Sequence, residues 1–284
     1  MYNALFGLLA RLSFCMLYAL SDVCFVLIYY VLRYRRKVVD GNLSIAFPQA
    51  DERQRRAWAR RFYHHLCDVV VETIKLLHVT DEEMHRRITV KNAHLVDKIA
   101  QRGNPIVAYL GHYGNWEWET FVTRFYSKDI HTAHIYKPLH NKRFNALMLH
   151  LRGRFDSESI AQNQAVRRLL QLHREGIFLI GVIGDHRPNS ADTLHSTQFF
   201  GKTVTFNVGG EVIGRKCHAE YLYLDVERTS RGHYTLTFQE MHPKDLHAEF
   251  PYTTEYYRLM EQTIRRDPPY WLWSHKRWKG KVNG

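Results

Sequence analysis

An α/β domain with a mixed central sheet flanked by helices, carrying an apolar helix at its N-terminus, is the fold predicted from three observations. From Ile106 onward short apolar runs alternate with amphipathic stretches, the pattern of a sheet layered between helices. Two of those runs, Ala219 to Val226 and Tyr234 to Glu240, are joined through the polar link Arg228 to Gly232, which reads as an antiparallel hairpin and makes the sheet mixed. Leu12 to Leu32 carries Asp22 as its only charge and, at about 21 residues, is long enough to cross a ~30 Å hydrocarbon layer as a helix.

That apolar run is followed at once by Arg33, Tyr34, Arg35, Arg36 and Lys37. Cations directly after an apolar stretch mark the cytoplasmic side, and Tyr29, Tyr30 and Tyr34 suit an interfacial belt. Residues 1–37 are therefore assigned to a membrane anchor and 38–284 to one catalytic domain on the cytoplasmic face. A cleavable signal peptide does not fit, because the run is too long and no small-residue cleavage site follows it. Asp22 is costly in lipid, so a helix lying in the interface or packed on the domain stays open beside one that spans.

Asp51 to His78 shows helical periodicity, with Trp58, Phe62, Leu66, Val69, Val70, Thr73, Leu76 and Leu77 on one stripe and Arg53, Arg55, Arg56, Arg60 and Arg61 crowding its start. Strands are expected at Ile106 to Leu110, His131 to Tyr136, Ile177 to Ile183, Ala219 to Val226 and Tyr234 to Glu240. Helices are expected at Trp116 to Tyr126, Asn141 to Leu151, Ile160 to Arg174, Gly209 to Lys216 and Tyr252 to Arg265. The formal charge of +12 and pI near 9.5 call for an anionic partner, which nucleic acid, phospholipid headgroups or an acidic carrier protein would each satisfy. No helix-turn-helix, RNP or zinc-finger pattern appears, so nucleic acid is not expected. Cys15, Cys24, Cys67 and Cys217 lie far apart with no C-x-x-C pair, which excludes a zinc ribbon and reads as small buried hydrophobes. His64-His65 and His131-x-x-His134 lack a carboxylate at metalloprotease spacing, and no metal is expected.

Ile106 to Glu117 is the most informative stretch. An apolar strand runs into Gly111, His112 follows, Gly114 permits a tight turn, and Asn115 is a good N-cap for a helix opening at Trp116. His112 then sits at the carboxyl end of a strand, where ligands gather in open α/β sheets. With His112 in the loop and Glu117 in the first helical turn, the carboxylate can fold back on the imidazole and hold its tautomer, a dyad for activating a hydroxyl. A capped helix with a satisfied histidine would show the same spacing.

Gly111-His112-Tyr113-Gly114-Asn115-Trp116-Glu117 resembles the H-x-x-x-x-E motif of the lipid A late acyltransferases, in its G-H-x-G-N-W-E form. The resemblance continues over nearly the whole chain. Tyr136-Lys137-Pro138-Leu139-His140-Asn141 is similar to that family's Y-R-P-x-x-N segment with Lys137 for Arg, and Arg152 and Arg154 fall at its basic pair. Gly184-Asp185 resembles its G-D-Q element with His186 for Gln, and Phe199-Phe200-Gly201 its F-F-G. Trp271-Leu272-Trp273-Ser274-His275-Lys276-Arg277-Trp278-Lys279 resembles its W-x-W-x-H-x-R-W-K ending. Tyr29 to Val39 and Phe62 to Asp68 look like the Bacteroidetes branch.

The resemblance implies a glycerolipid-acyltransferase-like αβα fold and transfer of an acyl chain from acyl carrier protein to a hydroxyl of a lipid A precursor at the inner membrane, with no cofactor beyond the thioester. His112 would be the general base and Glu117 its orienter. Amides at the helix start, with Arg154, would stabilise the thioester oxyanion. Asn115, Arg152, Arg154 and Asp185 would bind substrate, Asp185 by ordering the arginines. No G-x-S-x-G elbow is present, which suits direct attack by the acceptor hydroxyl. A glycerolipid acyltransferase using the same dyad is the alternative within enzymes.

Overall fold

The computed structural model describes residues 4–188 and 195–278. The expected mixed α/β architecture is present: a seven-stranded sheet flanked by helices, with one apolar N-terminal helix. In chain order the helices are α1 (Ala4–Arg11), α2 (Phe14–Val26), α3 (Arg36–Ala46), α4 (Glu52–Lys75), α5 (Asp81–Arg87), α6 (His94–Gln101), α7 (Lys142–Arg152), α8 (Ala165–Glu175), α9 (Gly209–Lys216) and α10 (Pro251–Arg266). The strands are β1 (Ile88–Lys91), β2 (Ile106–Leu110), β3 (His131–Tyr136), β4 (Ser157–Ala161), β5 (Phe178–Ile183), β6 (Ser196–Phe199), β7 (Lys202–Thr205), β8 (Glu220–Ser230) and β9 (His233–Glu240).

The main sheet runs β1-β9-β8-β2-β5-β3-β4, parallel everywhere except at the β8–β9 hairpin, and β6 with β7 forms a separate antiparallel pair. All five residues of β2 are buried, as a central strand covered on both faces must be. Its parallel register with β5 pairs Leu110 with Ile183. Two residues further on each strand stand His112 and Asp185, so the sheet delivers both to its carboxyl edge at the same level.

Three expectations are corrected. Trp116 to Tyr126 is not an α-helix: turns lead into a 3₁₀ segment, Glu119–Arg124. β-Branched Thr120, Val122 and Thr123 among bulky aromatics give this stretch weak helix propensity, and its apolar groups are buried without helical periodicity. The single helix expected over Ile160 to Arg174 begins only at Ala165, because Ser157–Ala161 pairs with β3 as an edge strand. Cys67 and Cys217 are buried as expected, but Cys15 is exposed.

Among the described residues Phe14–Val31 is one helix apolar and long enough to cross a membrane, with a mean hydropathy of 1.9. Its last turn, Leu27–Val31, is π-helical. The helix is docked on α4 rather than free-standing: Phe14, Leu17, Ser21 and Phe25 are buried. Ser21 donates to Asp68 at 2.7 Å and Tyr18 donates to Glu72 at 2.9 Å. Asp22, awkward in lipid, pairs with Arg231 at 2.6 Å and His64 at 2.8 Å. The opposite face, including Met16, Val23, Val26, Leu27 and Val31, is exposed. Of the tyrosines read as an interfacial belt, Tyr30 and Tyr34 are exposed and Tyr29 is buried.

Candidate active site

Gly111 begins the loop that carries His112, and a Cβ there would lie 2.5 Å from the end of the Met260 side chain, so a larger residue would require Met260 of α10 to move. Gly114 then takes φ +62, and a Cβ on it would meet Val226 at 2.7 Å. The C-terminal segment closes over this loop like a short strand. Tyr113 bridges Trp271, the Leu272 amide donates to the His112 carbonyl, and the Gly114 amide donates to the Tyr270 carbonyl. Trp271, Trp273 and Trp278 are core residues. Lys279, the last position of that motif, lies outside the described residues.

The carboxylate on the histidine is Asp185, not Glu117. His112 Nδ1 is 2.6 Å from Asp185 Oδ1, the His112 amide donates to Oδ2 at 2.9 Å, and the Trp271 indole donates to the same oxygen at 2.8 Å. Burial would raise the Asp185 pKa, but the His112 charge and hydrogen bonds outweigh it and hold the carboxyl well below the usual range. An ionised Asp185 keeps the proton on Nδ1 and leaves Nε2 as the nitrogen available to a ligand. The reason Glu117 is elsewhere is local: with no α-helix opening at Trp116, its side chain turns instead to Arg152.

Glu117 accepts a bidentate pair from Arg152 at 2.7 and 2.6 Å. Both side chains line the cavity that also holds His112, and Glu117 is buried. Arg154 is not brought to the site: it donates to the carbonyls of Leu76 and Val79, just beyond α4. Asn115, expected to bind substrate, is engaged within the protein. Its Oδ1 accepts from the Glu117 amide at 3.2 Å and its amide donates to buried Glu72 at 2.7 Å, so it braces the loop against α4. The Glu117 and Trp118 amides are engaged by Asn115, and Arg152, Lys137 and Arg187 are cations that line the cavity with His112.

The cavity holds about 1090 Å³ and runs from this cluster between largely apolar walls that include Leu110, Ile135, Met148, Leu169 and Leu179. That is at or above the ~300–1,000 Å³ of most small-molecule sites, with the few-polar, mostly apolar lining such sites share. Glu119, in the cavity wall, is buried with both carboxyl oxygens unpartnered, and burial drives its pKa well above the usual carboxylate range. His134, between Ser157 at 2.9 Å and Ser159 at 2.8 Å, is held neutral by burial, which lowers its pKa to about 4.

Sequence reasoning missed His186, His275 and Trp271 as neighbours of His112. The His186 ring stacks on His112 with centroids 3.9 Å apart and planes at 9°, and on His275 at 4.2 Å and 16°. The only signal was His186 itself, standing where the similar family has Gln. His112, Asp185 and His186 offer ligand atoms within 4.8 Å of one another. Parallel rings, however, send their in-plane lone pairs side by side, and His112 Nδ1 already faces Asp185, so this trio does not converge on one ion.

A histidine fixed by an aspartate beside an apolar cavity is an arrangement suited to general-base chemistry, and the family comparison gives the class of reaction. The family model of the bacterial lipid A biosynthesis acyltransferases matches residues 1–280. The chain belongs to that family. No curated protein matches it. Among solved structures it is similar to the 1-acyl-sn-glycerophosphate (LPA) acyltransferase PlsC from Thermotoga maritima, at 14% identity over 94% of this chain and 98% of that one, with a TM-score of 0.39. As a lipid A biosynthesis acyltransferase, the protein is an enzyme that transfers acyl groups, and the cavity beside His112 is its candidate acyl site.

Proposed function

We propose that this acyltransferase moves a fatty acyl chain from an acyl carrier protein thioester to a hydroxyl of a lipid A precursor, at the cytoplasmic face of the inner membrane. The observation that carries the reading is the 2.6 Å contact between His112 and Asp185 at the end of an apolar cavity. His112 Nε2 takes the proton from the acceptor hydroxyl as its oxygen bonds to the thioester carbonyl carbon. The tetrahedral oxyanion faces Arg152, whose direction is fixed by Glu117. When the C–S bond breaks, the His112 imidazolium returns its proton to the departing thiolate, so charge and protons balance. Glu117 thus acts in this mechanism through Arg152.

The exposed apolar face of α2 and its flanking Arg33, Arg35, Arg36 and Lys37 suit a bilayer surface, with the opposite face bound to α4. The Bacteroidetes assignment rests on Tyr29 to Val39 and Phe62 to Asp68 alone.

The test is mass spectrometry of products after purified protein is given a carrier-protein thioester with either a tetra-acylated lipid A precursor or a lysophospholipid. An acyl mass added to the lipid A precursor, and absent with His112→Ala, supports the reading. Addition only to the lysophospholipid transfers the assignment to glycerolipid acylation, and exclusive use of a coenzyme A thioester removes the carrier protein as donor.

A further inference from the structure

We propose that His186 is a positioning residue for His112, its neutral ring face stabilising the positive charge that His112 acquires when it takes the acceptor proton. The proposal rests on the reading of His112 as the general base. The two rings overlap nearly in parallel at 3.9 Å, and His275 backs His186 from the other side at 4.2 Å. Three stacked imidazoles leave His112 little freedom to rotate, and Trp116 closes its remaining side edge-on at 5.4 Å. Asp185 fixes the edge of the imidazole while His186 covers its face, so Nε2 keeps one direction toward the cavity, which His186 itself helps to line.

A π face stabilises a cation, and more so where water is excluded. The stack works in that sense only if His186 is uncharged, because a second imidazolium would repel the first. Burial and the adjacent His112 charge lower the His186 pKa to about 3, and burial lowers that of His275 to about 4. The other charged groups that act on the stack are Asp185, which favours protonation, and Arg277 and Arg35, which oppose it. Of the three rings it is His112 whose Nδ1 faces the Asp185 carboxylate, at 2.6 Å.

The test compares His186→Leu, which removes the π face, with His186→Phe, which keeps it. The expected result is a kcat lower by about 3- to 30-fold in the leucine variant and within about 3-fold of wild type in the phenylalanine variant. Because loss of the face disfavours the imidazolium, the acidic limb of the pH profile of kcat/KM should move to lower pH with leucine and stay in place with phenylalanine. NMR titration of the His112 ring reads the same shift without turnover, so it remains decisive even if neither lipid acceptor is used. An unchanged His112 titration in folded His186→Leu overturns the proposal, as does an equal loss of kcat in both variants with the acidic limb fixed.

Discussion

Trp271 donates its indole N–H to Asp185 Oδ2 at 2.8 Å, while the other oxygen of that carboxylate holds His112. The C-terminal segment thereby sets the orientation of the group that orients the base. Trp271→Phe keeps the ring and loses the donor, and should lower kcat by about 3- to 10-fold with KM little changed, as expected for one hydrogen bond acting through a neighbour. Steady-state kinetics on the folded variant checks it, and a change confined to KM would contradict it.

Glu117 and Arg152 form a largely buried bidentate pair, whereas Arg154 binds the backbone carbonyls of Leu76 and Val79 and lies over the Phe155 ring, away from the cavity. Arg152→Ala leaves a buried carboxylate without its partner and should cost about 2–4 kcal/mol of stability together with most activity. Arg154→Ala should cost about 1 kcal/mol and leave kcat near wild type. Urea unfolding and initial rates on the two variants distinguish them, and the reverse ranking would return Arg154 to the site.

Removal of residues 1–32 should destabilise the enzyme as well as release it from membranes. The deletion uncovers α4 where Leu17 and Phe25 are buried, at about 1.5–3 kcal/mol for each such side chain, and strips the Ser21 and Tyr18 donors from Asp68 and Glu72. Glu72 also holds Asn115 of the catalytic loop and Tyr234 of β9, so the damage reaches the site. Thermal unfolding of the truncated chain in detergent is the check. An unchanged midpoint would make α2 a separable anchor.

Glu119 gives a stability profile whose sign is fixed by its raised pKa. Its protonated form is native, so its contribution is fully present below the unfolded value near 4.5 and is lost as pH rises through the folded value. Glu119→Gln, neutral throughout, should therefore gain on wild type as pH rises above about 4.5, by at most about 1.4 kcal/mol per pH unit. Urea midpoints for both proteins at pH 5 and pH 8 test this, and parallel profiles would contradict it.

Five strands were legible in the sequence: β2 and β3 lie at the expected residues, and β5, β8 and β9 within a few positions. β1 and β4 were not, because Ile88–Lys91 and Ser157–Ala161 are short, half-polar edge strands defined by their partners. The same distinction governs the site. His112 could be found from its local motif, and Glu117 and Arg152 were both named, but their mutual pairing is fixed by tertiary structure. Asp185 was visible as a Gly-Asp dipeptide at a strand end, yet its meeting with His112 follows from the β2–β5 register, which pairs residues 73 apart. Nothing local to either segment encodes that.

The pairing of His112 with Asp185 is tested most directly by a double-mutant cycle on the turnover rate with His112→Ala, Asp185→Asn and the combined variant. Each single change should lower kcat by about 10²–10⁴-fold, and the combination should be no worse than His112→Ala alone, because the aspartate acts only through the imidazole. Folded Asp185→Asn with near wild-type turnover, or losses that multiply in the double variant, would contradict the account.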